Sequence, residues 1–93
     1  MGATWMIEAN TDAEFSALQS EGAPDASMTY SSCAMVAAMA PGLVEVDDSF
    51  FSIEAADVAA VAALLRLREG WHAADVAEVC EAAARLGRRV VAC

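Results

Sequence analysis

An α+β domain with a small sheet of about four strands and its helices on one face is the fold class the sequence predicts. Short segments rich in β-forming residues fall at 4–8, 43–47, 50–53 and 88–92. Two amphipathic helical patterns follow one another between residues 52 and 86, separated by Gly70, and read as an αα-hairpin. The element order is then β-α-(α or β)-β-β-α-α-β, which suits helices segregated to one side of a sheet. The 93 residues form one small acidic domain, 1–93, in this reading.

The first strand is 4–8, T-W-M-I-E. Thr11, with Glu14 three residues on, is a capping signature that starts a short helix carrying Phe15 and Leu18 on one face. Gly22, Pro24 and Asp25 end it and open a loop. Residues 28–40 admit two readings. Ser32 can cap a short helix over 33–39 that buries Met35, Val36 and Met39, with Pro41 biasing Ala40 out of helix; a strand over 28–31 competes with it. Over 43–47, alternation sends Val44 and Val46 inward and Glu45 and Asp47 outward. Asp48 and Ser49 make a turn into a second strand, 50–53, which completes a hairpin.

Ser52 then serves as N-cap of a long helix to Arg68, with Val58, Val61, Leu64 and Leu65 as its bulky stripe. Glu54 and Asp57 near its start and Arg66 and Arg68 near its end match the helix dipole, and Gly70 stops it. The next helix takes His72 as N-cap, with Trp71 and Val76 as a hydrophobic staple and Asp75 in the first turn. Val76, Val79, Cys80, Ala83 and Leu86 follow helical spacing. Glu81 and Arg85 are ordered for an i, i+4 pair, and Gly87 precedes a closing strand over 88–92.

The formal charge of −9 is unevenly placed. Glu8, Asp12, Glu14, Glu21, Asp25, Glu45, Asp47, Asp48, Glu54 and Asp57 precede residue 66, and no base does. The positive charges are all on the later arginines, Arg66, Arg68, Arg85, Arg88 and Arg89, and there is no lysine. Nucleic-acid binders displace counterions with a basic footprint, so direct nucleic-acid binding is not expected. An apolar fraction of 58% argues against disorder. Alanine fills 23 positions, which implies a thin core of closely approaching helices and leaves room for an oligomer or a partner to complete it. The alanine and arginine bias also fits a GC-rich bacterial or phage genome. The longest apolar run, 33–44, is interrupted by Pro41 and Gly42 and falls short of the roughly 20 residues that span a bilayer. No membrane association and a cytoplasmic setting are expected, with Cys33, Cys80 and Cys93 as reduced thiols.

Chemistry-bearing residues are sparse. Cys33 near a helix start, with His72 as base, would suit a thiol-dependent enzyme or ligand-binding domain; a buried structural cysteine and a capping histidine account for the same residues. Glu45, Asp47 and Asp48 offer oxygen ligands to a hard cation but lack the EF-hand pattern, and the wet face of a strand explains them more simply. Residues 64–79 have a helix–glycine–helix rhythm, yet the second helix carries Asp75, Glu78 and Glu81, which phosphates would repel. Phosphate-loop, nucleophile-elbow and zinc-protease motifs are absent from the sequence.

The expected function is therefore a non-enzymatic protein-interaction module without cofactor or metal, of inhibitor, immunity or anti-defence type. It would bind a basic partner protein, including one whose groove otherwise takes nucleic acid, since complementary charge speeds encounter and selects partners. The expected contact set is Glu21, Asp25, Glu45, Asp47, Asp48 and Phe50, with Tyr30 nearby. Phe50 is chosen by alternation: with Phe51 and Ile53 inward it points out, and exposed aromatics anchor interfaces. Two alternatives stand beside it, the Cys33–His72 thiol protein and a structural subunit of a homo-oligomer. The same charge could also serve solubility alone.

Overall fold

The computed structural model describes residues 2–48, 50–68 and 73–93. Its elements are β1 (Gly2–Ile7), α1 (Asp12–Ser20), β2 (Ala26–Thr29), α2 (Tyr30–Met39), β3 (Val44–Asp47), β4 (Phe50–Ile53), α3 (Val58–Arg66), α4 (Ala73–Leu86) and β5 (Val90–Ala92). The strands form one antiparallel sheet in the order β2-β1-β5-β4-β3. The α+β class holds, with five strands where about four were expected. The reason lies in 26–40, where both elements form: the strand is 26–29, two residues earlier than the expected 28–31, and the helix follows at once from Tyr30. Thr29 serves each of them: it is the last residue of β2, and its side-chain oxygen accepts the Ser32 N–H at 3.3 Å as the cap of α2. Thr29, not Ser32, is thus the N-cap, and Cys33 moves from the first helical position to the fourth.

The period of two along each strand sorts the sheet into two faces. Ala3, Trp5 and Ile7, Ala26 and Met28, Val90 and Ala92, and Phe51 and Ile53 point to the helix-covered face and are buried. The register stacks them into rows: Ala26, Trp5, Ala92 and Phe51 in one, Ile7, Val90 and Ile53 in the next. Ala92 lies between Trp5 and Phe51, and its small side chain lets their rings meet at 5.6 Å between centroids, tilted by 31°. Thr4, Met6, Ser27, Thr29, Val91, Ser52, Phe50, Glu45 and Asp47 point to the opposite face.

Helix α2 carries the chain from β2 at one edge to β3 at the other, burying Cys33, Val36 and the following Ala40 on the way. Helix α3 contributes Val58, Val61, Ala62 and Leu65, and α4 contributes Val76, Ala77, Val79, Cys80 and Ala83. The alanines let α3 and α4 pack close together over the sheet, as the composition implied. Leu64 and Leu86 belong to the expected stripes but lie at their margins, partly exposed.

Ser52 does not cap a helix. It is buried within β4, and its hydroxyl donates to Glu45 Oε2 at 3.5 Å across the hairpin. Helix α3 begins only at Val58, with Asp57 in the N-cap position and without a side-chain cap bond. The expected roles of Gly70, Trp71 and His72 lie outside the described residues.

Helix α1 starts as expected: the Glu14 N–H donates to Thr11 Oγ1 at 3.1 Å, while the Glu14 carboxylate accepts from the Asn10 N–H at 2.8 Å. Gly22 and Gly87 end α1 and α4 with φ of 72° and 67°. In that left-handed conformation the next N–H folds back, Ala23 to the Leu18 carbonyl and Arg88 to the Ala83 carbonyl, each at 3.0 Å.

Burial separates two leucines two residues apart. Leu65 is fully buried and Leu67 is 79% exposed. Leu65→Ala should cost about 3 kcal/mol of unfolding free energy through lost burial and a cavity, and Leu67→Ala less than about 0.5 kcal/mol. Urea denaturation of both variants checks this.

Candidate functional site

Four of the six expected contact residues come together on the β3–β4 hairpin. The pairing sets Glu45 opposite Ser52, Val46 opposite Phe51 and Asp47 opposite Phe50. Glu45, Asp47 and Phe50 therefore share the face turned away from the helices. Phe50 is 38% exposed against 4% for Phe51, as alternation required. Asp48 follows at the tip with φ of 56°. That left-handed value suits the first central position of a two-residue hairpin turn, and aspartate tolerates it better than most residues.

Glu21 and Asp25 do not join this group. Glu21 is the C-cap of α1 and Asp25 precedes β2, at the opposite edge of the five-stranded sheet. Four strand spacings of about 4.8 Å separate the two edges. Tyr30, half-buried at the start of α2, is on that far side as well. The expected set is thus one hairpin cluster and two outlying carboxylates.

One residue of this edge was expected to be internal. Val46 does face the helix-covered side, yet it is 56% exposed. The helical layer stops short of β3 here, and a valine that alternation assigns to the core is left open to solvent.

Electrostatics isolates the hairpin. Arg66 grips Glu81 with two bonds of 3.0 and 2.7 Å, which replaces the expected Glu81–Arg85 pair by a bridge between α3 and α4. Arg88 bonds Glu14 and the Glu8 carbonyl, each at 3.3 Å, and Arg89 lies 3.5 Å from the Glu8 carboxylate. Arg88 holds the Glu14 carboxyl below the usual carboxylate range, and Arg66 does the same for Glu81. These bases tie α1 and the helix pair to the fold. Arg88 and Arg89 precede Val90, which pairs with Ile53, so they sit at the strand ends away from the hairpin tip. Among the described residues, none of the ion pairs involves Glu45, Asp47 or Asp48.

The thiols are poorly placed for nucleophilic work. Cys33 and Cys80 are buried, and burial raises the Cys33 pKa and pushes that of Cys80 up to about 12. A thiolate nucleophile needs the opposite shift. His72, the suggested base, lies outside the described residues. Asp75 and Glu78 are exposed on α4, so the face a DNA-reading helix would use is acidic. Among the described residues no three histidine, cysteine or acidic side chains are placed to hold a metal ion, and no helix is long and apolar enough to cross a membrane. No family model matches the chain, and neither a curated protein nor a solved structure matches it.

Cys93 is exposed. A thiol-labelling reagent at neutral pH should therefore modify Cys93 within minutes, with Cys33 and Cys80 reacting only after denaturant is added. Rapid native-state labelling of Cys33 would contradict its buried placement.

Proposed function

We propose that the protein is a non-enzymatic interaction module that binds a basic partner protein through the β3–β4 hairpin, an inhibitor or immunity type of role. The observation that carries this is the juxtaposition of Glu45, Asp47 and Asp48 with the part-exposed Phe50 on one sheet edge, apart from the arginines that form ion pairs. An aromatic that is already half out of water, ringed by unneutralised carboxylates, suits a basic surface: charge steers the encounter and the ring supplies buried area. The far-edge acids, Glu21 and Asp25, are not part of this surface.

The reading is tested by affinity purification from the native host at low and high salt, with two variants. Glu45→Gln, Asp47→Asn and Asp48→Asn together remove the hairpin charge; asparagine keeps the left-handed preference at 48. Glu21→Gln with Asp25→Asn is the control at the other edge. Wild type and the control variant should retain a common basic protein at low salt. The triple variant should lose it, with affinity reduced on the order of tenfold or more, and high salt should release it. Equal retention by the triple variant, or recovery of a small metabolite only, contradicts the proposal.

A further inference from the structure

Among the described residues the sheet ends at β3, which has β4 on one side and no strand on the other. Asp47 and Phe50 face each other across the ladder on either side of a two-residue connection. In such a hairpin the flanking pair bonds inward, so alternation turns the backbone N–H and C=O groups of Val44 and Val46 toward the open edge. These are vacant ladder positions. The side chains along the same edge are sorted by face: Glu45 and Asp47 on one, Val46, 56% exposed, on the other. An added strand would meet carboxylates and an exposed valine at alternate positions.

Charge decides what such a strand can be. Pairing β3 with β3 of a second copy would set carboxylates against carboxylates, which destabilises a sheet, and acidic residues on an edge strand guard against that pairing. The same acids favour lysine or arginine directly opposite them, while the position opposite Val46 favours an apolar residue. The other edge, β2, has the uncharged sequence A-S-M-T and offers no such selection.

We infer that the partner is bound by strand addition: an extended segment with alternating basic and apolar residues pairs with the open edge of β3. This rests on the reading of the hairpin as the partner surface and specifies how that surface is used. Backbone bonds to Val44 and Val46 align the segment, Glu45 and Asp47 select its basic residues, and Val46 receives its apolar ones.

The test uses the intact protein and an end-blocked nonapeptide of alternating lysine and valine, titrated by NMR. Two derivatives are compared, one N-methylated at the valines and one at the lysines. Only one of these sets of amides faces β3, whichever way the peptide runs. The parent peptide should shift the amides of β3, and one derivative should bind roughly tenfold or more weakly while the other binds like the parent. If both derivatives bind like the parent, strand addition is overturned and the acidic-surface reading stands. If no lysine peptide binds, both are overturned. Shifts confined to β2 overturn the choice of edge.

Discussion

The fold depends on the insertion of three residues, Val90–Ala92, between β1 and β4. Among the described residues, strand β5 is the only strand that joins the two hydrogen-bonded halves of the sheet, β2-β1 on one side and β4-β3 on the other. Its side chains are all buried, and the Thr4 and Glu8 N–H groups extend its ladder through the carbonyls of Cys93 and Arg89 at 3.1 and 3.0 Å. Alanine at 92 matters for its size. A larger side chain there would hold Trp5 and Phe51 apart, and those rings are the bulkiest material in a core otherwise made of alanine, valine, Cys33, Cys80 and a few larger apolar side chains. The β3–β4 hairpin is anchored by the pairing of β4 with this strand and by Phe51, Ile53 and Val44 in the core.

Helix cover on one face then determines where a partner can act. The helices cover the face that carries Trp5 and Ile53, while Arg66 joins α3 to α4 and Arg88 and Arg89 hold Glu14 and Glu8. The helical layer covers Val44 of β3 but leaves Val46 open, and the free strand edge and the unneutralised acids coincide there. The alanine-rich core covers the last strand only at its Val44 end. Structural economy and the proposed binding edge thus have a common origin.

Much of this was legible in residues 43–53, where strict alternation assigned Glu45, Asp47 and Phe50 to one face and Phe51 and Ile53 to the other. Thr11, Gly87 and the stripe of α4 were legible for the same reason, since caps and periodicity are local. Residues that can do two local jobs are not legible in this way. Ser52 has the chemistry of an N-cap but sits mid-strand, because β4 must reach Ile53 to pair with Val90. Thr29 ends a strand and caps a helix at once, so a choice between strand and helix over 28–40 had no single answer. Partnerships across elements were out of reach: Glu81 and Arg85 have ideal spacing on one helix, but α3 brings Arg66 closer. Glu21 and Asp25 share the charge of the hairpin acids, but charge along a chain carries no information about which edge of a sheet it reaches.

Native-state hydrogen exchange resolved by residue tests the central claim, that β5 locks a sheet whose β3 edge stays open. The amides of Val90, Val91 and Ala92 should exchange only through global unfolding, with protection equal to the best in β1, while the outward amides of Val44 and Val46 exchange with little protection. Exchange of β5 as fast as that of α1, or strong protection of Val44 and Val46 in the free protein, would contradict the account.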